Sequence, residues 1–258
     1  MDKFSPFLLL SLLFLLACQG EVVEEKAEPS SEEKTDSAVS LAPAEDTAFL
    51  YAEARRLRQL EIRDSLLSLE DSAWVDLQQL IPQAEYEIRY ATSNNFMELQ
   101  VYDCPGCYTR LAVAKSLMKV QQNLDSMGLS LKFFDCYRPS SAQWALWKKT
   151  PDPRYVHPPK QGSMHSRGNA LDLSLVDSLG RELDMGTPFD YFGKEAYWSY
   201  TQHSEEVNKN RKLLRQQMQA AGFSTIRTEW WHFVYKAQRF PLSNWQWSCP
   251  TDSLEQKG

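Results

Sequence analysis

An aspartate lies in the middle of the most regular strand pattern in the sequence. Residues 170–176 read Ala-Leu-Asp-Leu-Ser-Leu-Val. Alternation puts Leu171, Leu173 and Leu175 on one face and Asp172 and Ser174 on the other. A carboxylate in so apolar a stretch is costly unless it is paired or bound to a metal. Whatever fold the chain adopts must therefore provide Asp172 with a partner on the side away from the leucines.

Histidines are few: His157, His165, His203 and His232. His165 lies seven residues before Asp172, and Gly168 between them allows a turn that brings the imidazole back beside the carboxylate. A second polar cluster, Glu229-Trp230-Trp231-His232, offers a further ligand and a spare carboxylate. A catalytic zinc takes three protein ligands and keeps one position open. His165, Asp172 and His232 meet that count, with a net charge that leaves the metal electrophilic. Such a metal polarises a carbonyl and acidifies a bound water. Hydrolysis also needs a base, and Glu229 is the candidate. On pattern alone Glu229 and His232 are interchangeable as the third ligand. Positions three apart on a regular strand face opposite sides, so the spacing predicts a bulge or turn here. Histidines satisfied within a core and a capping aspartate are the plainer alternative for the whole set.

Arg138 follows Asp135-Cys136-Tyr137 and precedes Pro139, at the end of an expected strand. Its guanidinium stays charged and presents a fixed fork of donors, which suits an oxyanion. A surface ion pair or a helix-cap contact is the other reading of this residue.

The remaining pattern mixes strands and helices without the regular alternation of a doubly wound sheet, so the expected class is α+β. Helical spacing begins near Asp46 or Thr47, and the catalytic domain is placed from Trp74 onward. Short extended pieces are expected at 88–91 and 99–102, helices at 110–127, 140–147 and 208–221, and strands at 129–137, 170–176 and 230–235. Gly128 and Gly222 are the stop signals of two of these helices. A formal net charge of -6 gives no footprint for nucleic acid.

The amino terminus carries an address. Residues 7–17 are an apolar run too short to span a bilayer, and the run ends in Leu15-Leu16-Ala17-Cys18. This resembles a bacterial lipobox, which implies a signal peptide over 1–17 and a lipidated Cys18. Gln19 is not an aspartate, so in a host with two membranes the expected place is the outer membrane, facing the periplasm. Residues 18–46 have almost nothing to bury and read as a disordered tether. Residues 47–73 read as a helical linker or first helix, and 74–258 as the catalytic domain.

Five words in order, running from about Trp74 to Trp245, give the chain a family likeness. They are Ile88-Arg89-Tyr90-Ala91-Thr92-Ser93-Asn94-Asn95-Phe96, Asp135-Cys136-Tyr137-Arg138-Pro139, Gly162-Ser163-Met164-His165-Ser166-Arg167-Gly168-Asn169-Ala170-Leu171-Asp172-Leu173, Asp184-Met185-Gly186-Thr187-Pro188-Phe189-Asp190 and Glu229-Trp230-Trp231-His232-Phe233. In these the sequence resembles the VanX-type D-alanyl-D-alanine dipeptidases, within the zinc D-Ala-D-Ala peptidases. The resemblance implies a single domain with a central, mostly antiparallel sheet flanked by helices. It implies Zn2+ on His165, Asp172 and His232, Glu229 as general base and Arg138 on the oxyanion. Ser163 would help hold the substrate's terminal carboxylate, and residues 184–190 would wall the cavity. The implied substrate is a small D-amino-acid dipeptide. Larger peptidoglycan-derived peptides, cut by a carboxypeptidase or endopeptidase, are the second possibility, and a non-catalytic envelope-binding lipoprotein is the third. Met164 stands where many family members carry a smaller or polar residue.

Cys104, Cys107, Cys136 and Cys249 remain. An even number in an exported domain suits two structural disulfides. A Cys104–Cys107 bridge would close a very short loop, and Cys136 with Cys249 would tie the tail near Arg138. The sequence does not decide between pairings. A thioredoxin-like redox pair in Cys104-Pro105-Gly106-Cys107 and a four-cysteine zinc site are the weaker readings. Oligomeric state has no signature in the sequence.

Overall fold

The structure, a computed structural model, describes residues 44–250. The expected signal peptide, the lipidation site Cys18 and nearly all of the tether lie outside the described residues.

The centre of the molecule is a five-stranded sheet in the order β2-β4-β5-β7-β6. Its strands are β2 (Glu85–Tyr86), β4 (Leu129–Asp135), β5 (Ala170–Asp177), β6 (Phe223–Thr225) and β7 (His232–Tyr235). Only β2 and β4 run parallel, so the sheet is mixed and mostly antiparallel. A separate antiparallel pair joins β1 (Trp74–Asp76) to β3 (Tyr108–Arg110). The helices are α1 (Ala44–Leu67), α2 (Leu77–Leu80), α3 (Leu111–Asp125), α4 (Ser140–Lys149) and α5 (Glu205–Ala220). The α+β expectation holds.

The leucine face of β5 makes the core. Leu171, Leu173 and Leu175 are fully buried and pair with Phe233, Phe133 and Leu131, which are also fully buried. Each such side chain contributes on the order of 1.5–3 kcal/mol. The helix α3 covers this layer with Leu111, Ala114, Leu117 and Leu124, and its neighbour α5 adds Leu214 and Met218. Gly128, at φ +68°, turns the chain from α3 into β4. The last turn of α1 packs Leu66 and Leu67 against the core, and Gln59 donates to the Gln79 carbonyl at 2.8 Å.

Four details differ from the pattern-based expectations. The segment expected as a strand at 88–91 is a 3-10 turn over Arg89–Ala91, and 99–102 is irregular because Val101 and Tyr102 both donate to the Tyr90 carbonyl. The short strands β1, β2 and β3 have no alternation long enough to see. The helix expected from 208 starts at Glu205, since the Ser204 hydroxyl accepts from the Val207 amide and Glu205 and Glu206 favour the helix amino end.

Candidate metal centre and active site

Three neighbouring strands carry polar side chains in one row. Asp172 on β5 is the register partner of His232 on β7 and of Asp135 on β4. A bulge between Phe133 and Asp135 creates this row, because one extra residue on β4 puts Asp135 rather than Phe134 opposite Asp172. His165 arrives from outside the sheet. It opens a 3-10 turn over His165–Arg167 that closes on Gly168, at φ +71°, and the chain then enters β5.

The four predicted members converge. The donor atoms of His165, Asp172 and His232 all lie within 4.8 Å of one another. His232 Nδ1 is 2.9 Å from Asp172 Oδ1, and His165 Nε2 is 3.2 Å from His232 Nδ1 and 3.4 Å from Asp172 Oδ2. Two ligands at about 2.0–2.1 Å on a tetrahedral ion stand about 3.3 Å apart, so these separations fit one small cation. His165 Nδ1 donates to the Cys136 carbonyl at 2.8 Å, which leaves Nε2 free as a ligand. Glu229 is not part of the triad but adjoins it, with Oε2 3.8 Å from His232 Nδ1. His232, not Glu229, is the residue whose donor atom reaches both of the others, and Glu229 stands beside them. The predicted irregularity is present, because β7 begins only at His232 and the chain bends at Trp230 and Trp231.

Arg138 is buried. Its Nε and Nη2 donate to Asp135 Oδ2 at 2.9 and 2.7 Å, Nη1 donates to Gln143 Oε1 at 3.0 Å, and Nη2 lies 3.6 Å from Asp172 Oδ2. Tyr102 donates its hydroxyl to Asp135 Oδ1 at 2.7 Å, so the carboxylate that holds Arg138 is itself held. Ser163 is buried at the pocket wall, where its hydroxyl accepts from the His165 amide at 3.2 Å.

These groups face a cavity of about 400 Å³, lined among others by Tyr90, Phe96, Arg138, Tyr155, Ser163, Met164, Asp190, Glu229 and Trp231. Of residues 184–190, only Asp190 lines it. Phe189 packs behind the wall on Trp231, and Thr187 accepts from Trp230 Nε1 at 2.9 Å. Asp190, at φ 61°, accepts from the Tyr90 hydroxyl at 3.0 Å. The family resemblance placed its segment at the cavity wall, but its pairing with Tyr90 was not legible, although both residues lie in the words quoted above. A backbone twist that turns a carboxylate inward leaves no periodic trace.

The electrostatics call for a cation. Burial, and then the charge of Asp172, push Asp190 up to about 8. Burial, followed by the charges of Asp172 and Asp190, holds Glu229 well above the usual carboxylate range. Burial works against the charge of Asp172 too, but His165 and His232 beside it keep its carboxyl well below that range. Burial pushes His232 down, so its imidazole is neutral and able to ligate. Several carboxyls thus crowd around one guanidinium, and a divalent ion at the donor triad would relieve them.

A two-histidine, one-aspartate triad beside a separate carboxyl and a fixed arginine, facing a cavity of about 400 Å³, is the equipment of a metal-dependent peptidase. Comparison with known proteins agrees. Residues 70–249 match the family described as D-ala-D-ala dipeptidase. Among curated relatives, the chain is 38% identical over 176 residues to the D-alanyl-D-alanine dipeptidase of Escherichia coli K12, covering 68% of this chain and 91% of that one. The enzyme of the same name from Enterococcus faecium is 28% identical over 188 residues, covering 65% of this chain and 93% of the relative. The chain belongs to the D-Ala-D-Ala dipeptidase family.

Proposed function

We propose that the protein hydrolyses D-alanyl-D-alanine, or a closely related D-amino-acid dipeptide, with zinc on His165, Asp172 and His232 and with Glu229 as general base. The single observation that carries this reading is the meeting of the three donor atoms with Glu229 and Arg138 at one cavity of about 400 Å³. Zinc held there would supply a Lewis acid for the scissile carbonyl and a lowered pKa for the attacking water.

The protein's own groups do the rest. Glu229 removes a proton from the water as it attacks and returns it to the departing nitrogen, so no covalent enzyme intermediate forms. Arg138, locked by Asp135 and Gln143, donates to the carbonyl oxygen as negative charge builds there and needs no reorganisation to do so. Ser163 offers a hydroxyl to the carboxylate end of the substrate. Asp190, a carboxyl half-buried at the wall with Tyr90 behind it, is suited to the ammonium end. An ammonium ion beside it would bring its raised pKa down and leave a desolvated ion pair. Reading both ends at fixed spacing favours a dipeptide over a longer peptide.

The test is incubation of the zinc-loaded protein with D-Ala-D-Ala, L-Ala-L-Ala and a peptidoglycan stem pentapeptide, followed by product masses. Cleavage of the first alone is expected. Preferred cleavage of the pentapeptide would replace the dipeptidase reading by a carboxypeptidase or endopeptidase one. We also take Cys18 as the lipidated first residue of the mature chain, anchoring it to the outer membrane, facing the periplasm. Radiolabelled palmitate should enter the full chain and not a Cys18→Ala variant.

A further inference from the structure

We propose that the Cys107–Cys136 disulfide is a positioning element of the metal site, acting through the main chain of residues 135–138. The structure pairs Cys104 with Cys249 and Cys107 with Cys136. Neither bridge considered from the sequence, Cys104–Cys107 or Cys136–Cys249, is the one formed.

The Cys136 carbonyl is the acceptor that fixes His165. Its 2.8 Å bond from Nδ1 selects the tautomer and aims Nε2 at Asp172 and His232. An acceptor behind a ligating histidine is worth about 10–100-fold in metal affinity. The same four-residue stretch holds His165 from a second side, since the Arg138 amide donates to the His165 carbonyl at 3.3 Å. Asp135 and Arg138, the two ends of the stretch, pair with each other. A small rotation of the Cys136 peptide would therefore move a metal ligand and the oxyanion donor together.

The disulfide restrains that peptide. Cys107 and Cys136 are completely buried, and their Cα atoms lie 5.1 Å apart. Cys107 is itself fastened, because its carbonyl accepts from the Leu77 amide at 2.9 Å. The next residue, Tyr108, accepts from the Tyr137 amide at 2.9 Å. Covalent and hydrogen-bonded ties thus anchor two successive residues of the stretch to two successive residues of the neighbouring segment.

The second bridge is a built-in control. Cys104–Cys249 spans 145 residues in sequence against 29 for Cys107–Cys136. A longer closed loop restrains the unfolded chain more, so the general stabilising role falls mainly to Cys104–Cys249. The shorter bridge is the one bonded into the His165 acceptor.

The inference rests on the zinc reading above, and the experiment separates the two. Wild type, Cys107→Ser/Cys136→Ser and Cys104→Ser/Cys249→Ser are compared by zinc competition against a chromophoric chelator, by the absorption spectrum of the cobalt(II)-loaded protein, and by thermal unfolding. For Cys107→Ser/Cys136→Ser, a 10-fold or greater loss of zinc affinity and an altered cobalt spectrum are expected, with a near-native circular dichroism spectrum. For Cys104→Ser/Cys249→Ser, near-native affinity and the larger fall in Tm are expected. Cys107→Ala/Cys136→Val, which refills the space, replaces the serine pair if that pair is unfolded. Unchanged affinity and cobalt spectrum without the short bridge would overturn the proposal. So would unfolding of both short-bridge variants, which would make the bridge a general staple. Wild type that takes up no zinc would instead defeat the zinc reading.

Discussion

Asp172 and His232 are directly opposed on adjacent strands, and their donor atoms are 2.9 Å apart. Side chains on a strand alternate with a period of two, so a slip of one residue between β5 and β7 would send His232 to the leucine face. The register of the sheet and the assembly of the triad are therefore one condition. An ion that binds the triad stabilises that register over its neighbours.

Glu229→Gln is expected to bind one zinc per chain with near-native affinity and to lose about 10²–10⁴-fold in kcat. Glu229 stands 3.8 Å from a triad nitrogen without belonging to the triad. Metal analysis together with a ninhydrin assay reads both quantities, and full turnover in this variant would remove Glu229 from its role.

Arg138→Lys keeps the charge and loses the fork. A lysine cannot bond Asp135 twice and Gln143 once, as the guanidinium does. The charge would then wander, and from the oxyanion role proposed above kcat is expected to fall about 10²–10³-fold with a smaller change in KM. Steady-state kinetics across substrate concentration would show whether the loss lies in kcat.

Gly168→Ala should destabilise the fold by roughly 1–3 kcal/mol. The residue sits at φ +71°, and an added Cβ would meet Trp74 Cζ3 at 2.5 Å. Gly168 links His165 to the strand that carries Asp172, so zinc affinity should drop as well. Urea denaturation measures the first effect, and an unshifted midpoint would contradict it.

The metal-free protein should lose stability as pH rises. Asp190 is pushed up to about 8 by burial and by Asp172, whereas an unfolded aspartate titrates near about 3.9. Between these values the folded state holds a proton that the unfolded state has released, so the folded state is progressively disfavoured until about 8. Glu229, also raised, acts in the same direction. Thermal unfolding in excess chelator from pH 5 to 8 should show Tm falling, and Asp190→Asn should flatten the slope. A rising Tm over that range would show that other groups dominate.

The donor triad was legible as polar breaks in apolar stretches, although pattern alone did not choose between Glu229 and His232. Asp172 interrupts an apolar strand, and His232 follows two tryptophans that the core absorbs. Arg138 was visible only as a charged residue before a proline, since the bonds that give it a purpose come from Asp135, Gln143 and, through Asp135, Tyr102. Asp190 and Tyr90 meet across 100 residues through a loop without periodicity, which no local rule can pair. The same holds for the cysteines. Four thiols allow three pairings, and only the approach of the tail to the 104–107 loop selects one of them. The short strands β1 to β3 were lost because two or three residues cannot display alternation.

The Tyr137 hydroxyl, one residue from Arg138, donates to the carbonyls of Ser243 and Trp245, which lie 106 and 108 residues further along the chain. Those acceptors are among the last parts of the domain to leave the ribosome. A chain cut short before them would keep His165, Asp172 and His232 and lose the acceptors that hold Tyr137. Loss of that segment would thus leave a buried hydroxyl unpaired one residue from Arg138, at a cost of about 1–3 kcal/mol.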